Sequence, residues 1–376
     1  MPDIGIISTF PPTQCGIATY SHDLIESLQL VTPDLRFTKV ELSHCTEHGH
    51  RTNHVIQISE PEQYLKASQY INSSDIGIVD IQHEYKIFGK PDGENISILL
   101  RHITKPIITT LHTVSANLNQ QREKIFREIV KRSDLLYVFS REAKEYIVRK
   151  YEKGDSKIEI IPHGVPSIVF KTSGQILERK KYSEKIIFVS AGHMRDTKGY
   201  ELAITALHSL KKEIPNFHYL ILGSNHPENE TAESYRETLI KMVEELNLTR
   251  NVTFISDYLE QKELIKYIQL ADICLLPYTR KDQSSSGVLA LMLACGRPVV
   301  STPFQFAKSY VTELSGNLSS SFDYTDFAKA IKTLINKTHL WDSMSQYNHT
   351  LGQTWNWKNV AHQYSLGYTQ LLHKKI

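Results

Sequence analysis

Short runs rich in β-branched residues alternate with amphipathic stretches along the whole chain. That alternation is the pattern of parallel sheets covered by helices on both faces. It predicts strands over Ile4–Thr9, Ile76–Ile81, Ile107–Leu111, Leu135–Phe139 and Ile158–Ile161. A second series follows over Ile186–Ser190, His218–Leu222, Val252–Ile255, Ile273–Leu276 and Pro298–Ser301. Between the series, Ser167–Glu184 is polar, rich in Lys and Glu and without a clear period, and reads as a linker. The expected fold is α/β, with two Rossmann-like, doubly wound domains facing across a cleft: residues 1–167, residues 168–355, and a last helix over 356–376. In that helix Trp357, Val360 and Tyr364 share a stripe, which reads as core packing.

The pattern centres on LLPYTRKDQSSSGVLALMLACGRPVVSTP at 275–303, a strand end, a polar loop, a helix from Gly287 to Ala294, a turn at Gly296 and a further strand. In a parallel sheet such a loop lies at the carboxyl edge, where unpaired N–H groups and the helix dipole favour an anion. Gln283, Ser284, Ser285, Ser286 and Gly287 suit a phosphate: hydroxyls donate, and glycine lets the backbone come close. A serine-rich turn capping a core helix fits the same residues.

Other polar positions follow strands in the same way. After the first strand comes PPTQCGIATY, in which Gly16 either admits a phosphate or sugar or is a plain turn glycine. This is not the GxGxxG dinucleotide fingerprint. His83 and Glu84 end one strand and His112 the next, a pairing that favours a functional histidine at 112 over a structural one, with His83 and Glu84 as weaker acceptor-side candidates. After the first strand of the second series, Gly192 permits a turn, and Arg195 and Lys198 place a bidentate and a point cation before a helix. That combination can hold a diphosphate together with the serine loop. Tyr258 and Leu259, after a later strand, could offer backbone contacts to a base. His44, Cys45, Glu47, His48, His50 and His54 have zinc-ligand chemistry, but no strand or helix fixes their geometry, so a solvated loop is the expectation.

The length of 376 residues suits two domains of about 150–200 residues each. A net charge of +2 selects no nucleic-acid partner, although Lys131, Arg132, Lys180 and Lys181 allow peripheral attraction to an anionic membrane face. No apolar stretch reaches the length of about 18 residues that a membrane span requires, and the chain opens on a strand, so a cytoplasmic location is expected. Cys15, Cys45, Cys274 and Cys295 form no CxxC pair and read as reduced residues.

In their order and spacing, CGIATY with Gly16, TTLHT with His112, IPHGV at 161–165, GHMRDTKG with Arg195 and Lys198, and ACGRPVVST resemble the GT-B retaining glycosyltransferases of family 4 over essentially the whole chain. The resemblance implies a nucleotide-sugar held mainly by the second domain and a terminal helix crossing back to the first. Arg195 and Lys198 then match the diphosphate-binding pair, Gly16 the first-loop glycine, and His112 the histidine near the donor sugar. Ser285, Ser286 and Gly287 match the phosphate-binding helix start. One departure stands out. The family pattern EGFGLVLLEAMACG carries two glutamates where this chain has Gln283 and Leu291. Gln283 can still hydrogen-bond a sugar, but Leu291 cannot grip a ribose. QSSSGVLA, with QHEYKIFG and TLHTV, looks like a bacterial subgroup of the family.

The resemblance implies transfer of a mannose- or glucose-type hexose to a glycan or lipid-linked sugar by front-face substitution, in which the departing phosphate oxygen takes the acceptor's proton. It implies neither a cofactor nor a metal, and no DxD-like carboxylate pair argues for one. The sequence leaves the donor open among GDP-mannose, UDP-glucose and UDP-N-acetylglucosamine. A phosphorylase or epimerase on the same fold, and an inactive sugar-binding partner subunit, remain alternatives.

Overall fold

The computed structural model describes residues 3–44, 54–89, 91–223, 232–256 and 259–373. The chain divides into two compact units, Met1–Gly164 with Trp357–Ile376, and Val165–Asn356.

In the first unit the strands are β1 (Asp3–Ser8), β2 (Phe37–Ser43), β3 (His54–Gln57), β4 (Ile76–His83), β5 (Ile107–Leu111), β6 (Leu135–Val138) and β7 (Ile158–Ile160). They form one sheet in the order β3-β2-β1-β4-β5-β6-β7, and every pairing is parallel. The order reverses between β1 and β4, so the loops after these two strands flank a topological switch point, where open parallel sheets take their ligands. The buried faces carry Ile7, Val79, Ile81, Ile107, Leu136 and Val138. Helix Gly16–Val31 packs against the last helix, Trp357–His373.

The second unit holds β8 (Ile186–Ala191), β9 (Phe217–Leu222), β10 (Val252–Ile255), β11 (Ile273–Leu276), β12 (Val299–Ser301) and β13 (Gly316–Leu318). Its order is β10-β9-β8-β11-β12-β13, again all parallel. Here the switch point falls between β8 and β11.

The α/β expectation of two Rossmann-like, parallel-sheet domains holds, and β2, β3 and β13 add strands that the periodicity does not reveal. The segment read as a linker is different. Residues 167–184 are strapped to the second unit through their own backbone: Gln269 Nε2 donates to Val169 O at 2.8 Å and Gln353 Nε2 to Ile168 O at 3.1 Å. Arg179 pairs with Asp272 at 2.9 Å, and Ile168 and Ile176 are buried. Cys274 and Cys295 are free thiols inside the second unit, and no helix among the described residues is long and apolar enough to cross a membrane.

Candidate functional site

In the second unit two loops meet at the switch point. After β8 the backbone turns at Gly192 (φ +140°), makes a short turn over Asp196–Lys198, and enters helix Tyr200–Leu210 through Gly199 at φ +63°. A Cβ at Gly199 would lie 2.0 Å from Pro277 O, so only glycine lets this loop close on the one after β11. Thr279 N donates to Thr197 O at 3.1 Å and ties the two loops together. Lys198 lies with its Nζ 4.0 Å from the centroid of the Tyr278 ring, a cation–π geometry, and its stem runs past Gly192. Among the described residues neither Lys198 nor Arg195 has an ion-pair partner.

The loop after β11 leads to helix Gly287–Ala294, whose N-cap is Ser286; its Oγ accepts from Leu289 N at 3.2 Å. Ser284 and Ser286 are both buried, so the three serines do not form a row of exposed donors. Ser286 shapes the helix start, and the first N–H groups of the helix have no intrahelical acceptor. Gln283 is half-buried, with Nε2 donating to Ser285 O at 3.1 Å. Leu291 is buried in the helix. Leu259 is half-buried in the loop after β10; Tyr258 lies outside the described residues, as do Cys45, Glu47, His48 and His50 of the histidine-rich stretch.

In the first unit Gly16 opens its helix behind Cys15, whose Sγ accepts from Ala18 N at 3.3 Å. A Cβ at Gly16 would meet no atom within 4 Å. Gly16→Ala is therefore expected to leave the melting temperature unchanged or slightly raised, because alanine suits a helix better than glycine does. If a ligand approaches this backbone, the same methyl lowers kcat/KM for the donor roughly tenfold, about 1.4 kcal/mol; kinetics and a melt on one preparation check both halves.

His112 follows β5 and is 5% exposed. Its Nε2 is 3.0 Å from Gln82 Oε1, and its ring sits edge-on to Tyr20 (centroids 4.8 Å apart) and beside Phe139 at 5.2 Å. Burial first, then His163 and His83, hold its pKa well below the ordinary histidine value, so it is neutral at pH 7. His163 packs on the same Tyr20 at 5.3 Å, and burial lowers it to about 4.

His83 is corrected by the structure. As a strand residue next to Gln82 it points to the opposite face, where it is fully buried between Tyr85 and Phe88 with neither ring nitrogen hydrogen-bonded. Burial lowers its pKa to about 3. It is a fully buried core residue, which does not fit the acceptor-side expectation. Glu84 braces two strand ends: Oε1 accepts from Tyr85 N at 3.1 Å and Oε2 from Thr113 Oγ1 at 2.5 Å. Gln82 and Tyr20, which lie inside the quoted motifs without being singled out, contact His112; His163, likewise inside a motif, packs on the same Tyr20, and Asp80, outside them, backs Gln82. Asp80 and Gln82 did carry a signal, two polar residues spaced by two in a parallel strand that is otherwise apolar up to its last residue, His83.

Two parallel-sheet Rossmann-like domains, each with polar loops gathered at its switch point, define the GT-B class of α/β proteins. Residues 175–350 match the family described as glycosyl transferases group 1. The D-inositol 3-phosphate glycosyltransferase of Xylanimonas cellulosilytica is 23% identical over 254 residues, 61% of this chain and 58% of that protein, so the match spans less than two thirds of the relative. Sucrose-phosphate synthase of Thermosynechococcus elongatus superposes with a TM-score of 0.81 at 19% identity, each chain covered completely. HepE of Anabaena, solved with UDP-glucose, gives 0.77 at 14% identity over 98% of this chain and 100% of that one. The structural likenesses establish the fold, and the family match makes residues 175–350 similar to the glycosyl transferases group 1.

Proposed function

We propose that this chain is a retaining hexosyltransferase that moves a mannose- or glucose-type sugar from a nucleotide-diphosphate donor to a glycan or lipid-linked sugar. The observation that carries the reading is the pair Arg195 and Lys198. These two cations lack an ion-pair partner among the described residues, and their loop is bonded to the one that ends at the Ser286–Gly287 helix start. Two cations and a helix N-terminus are what a leaving diphosphate requires as negative charge develops on it. They supply that stabilisation from side chains and backbone, so the reading calls for no metal. Neutral His112 would serve the sugar as a hydrogen-bonding group, and the departing phosphate oxygen would take the acceptor's proton. UDP-glucose in the HepE structure favours a donor of this chemical class.

Leu291, where the family pattern has a ribose-gripping glutamate, favours one rival, a phosphorylase that needs only phosphate. A thermal-shift panel separates the two. A ligand at a hundred times its Kd stabilises by about 2.7 kcal/mol, roughly 5–10 °C for a unit of this size. The expected result is a shift with UDP- or GDP-sugars. A shift with inorganic phosphate and none with any nucleotide would replace the transferase by the phosphorylase.

A further inference from the structure

In the interior of the first unit, β4 carries Asp80 and Gln82 on one face, and both are fully buried. Val79 and Ile81 beside them are apolar, and burying an amide and a carboxyl is costly unless every polar atom is matched. Here the matching is extensive. Gln82 Nε2 donates to Asp80 Oδ1 at 2.8 Å and approaches Thr110 Oγ1 at 3.3 Å. Tyr368 of the last helix donates to Asp80 Oδ2 at 2.6 Å, and Tyr364 of the same helix bonds Thr110 Oγ1 at 2.6 Å. Burial lifts the Asp80 carboxyl to about 7, against the pull of the Tyr368 and Gln82 hydrogen bonds.

The amide has one end that donates and one that accepts. With the NH₂ end turned to Asp80, Oε1 is left facing His112 Nε2 at 3.0 Å. An acceptor there requires a proton on Nε2. We propose that Gln82 is a positioning residue that holds His112 as the Nε2–H tautomer, and that Asp80 and Tyr368 hold the Gln82 amide in the orientation this needs. The neutral ring then has its lone pair on Nδ1, so the site carries one defined donor–acceptor pattern instead of a mixture of two tautomers. The terminal helix thereby acts on the site through Tyr368, a role beyond the packing its stripe suggests.

The catalytic consequence rests on the reading that His112 serves the sugar; the tautomer does not. In the full-length, ligand-free protein labelled with ¹⁵N-histidine, the two ring nitrogen shifts of His112, assigned by their loss in His112→Gln, are expected to show the proton on Nε2. In Gln82→Met, which keeps the bulk and removes the acceptor, the signal is expected to move toward Nδ1–H or a mixture, with kcat down at least tenfold and donor KM little changed. Asp80→Asn, which lets the amide turn over, should also give a mixture, and it stands in if Gln82→Met does not fold. A wild-type proton on Nδ1, or an Nε2–H form that persists in both variants, overturns the proposal. Failure to bind any nucleotide-sugar overturns the functional reading and leaves the tautomer result standing.

Discussion

Lys198→Ala is expected to slow sugar transfer by a hundredfold or more, about 2.7 kcal/mol of transition-state stabilisation, while the fold survives. The ammonium forms no ion pair among the described residues. Its visible engagement is with the face of Tyr278, 4.0 Å away; losing a cation–π contact costs only about 0.5–2 kcal/mol of stability. What the variant removes is a point charge on the loop bonded to the one that leads to the helix start at Gly287, where the proposed diphosphate would gain negative charge as it leaves. Lys198→Arg keeps the charge but spreads it over a planar fork and is expected to recover only part of the rate. The check is kcat at saturating donor for each variant, with a melt to show that the second unit remains folded. Near-normal turnover in Lys198→Ala would remove this residue from the chemistry.

Much of the fold is legible because a parallel strand buried on both faces reads as an apolar run, as in ICLL of β11. The strands that escape notice lack that run. In FTKVELS of β2, Lys39 and Glu41 break it, and β13 is three residues opened by a glycine. Arg195, Lys198 and the serine loop stand out because they follow strands whose ends are easy to place. The surroundings of His112 do not. Asp80 meets a tyrosine 288 positions further along the chain, a distance that no local pattern spans. His83 misleads for a simpler reason: neighbours on a strand face opposite ways, and without the core in view nothing says whether Gln82 or His83 looks toward His112. The strap at 167–184 resembles a linker because several of its anchors are backbone carbonyls, which leave no mark in the sequence, and the partner of Arg179 lies 93 positions further along.

That strap carries the second large effect. Arg297 is 3% exposed, and its guanidinium donates to Cys295 O at 3.2 Å, to Ala271 O at 3.2 Å and to Lys171 O in the strap. Among the described residues it has no ion-pair partner, and the Asp272 carboxylate is taken by Arg179 and by Ile187 N. The neighbouring thiols offer no countercharge, since burial pushes Cys295 up to about 12 and raises Cys274 as well. The charge is tolerated because it sits just past the C-terminus of helix Gly287–Ala294, where the dipole and unpaired carbonyls favour a cation. Arg297→Ala would leave three carbonyls without donors and a hole beneath the strap, a loss of roughly 3–5 kcal/mol, or on the order of 10 °C in melting temperature. Arg297→Met fills the hole but not the hydrogen bonds and should fall between the variant and wild type. Calorimetry on the full chain decides it, and a change under about 2 °C for the alanine variant would mean that water replaces the guanidinium at little cost. Donor affinity, measured well below the transition, should change by less than roughly threefold. The N-terminus of the helix is fixed by the Ser286 cap at the opposite end, and removing a cation from one end of a helix whose other end is capped loosens the strap without moving the N–H groups that the proposed diphosphate would meet.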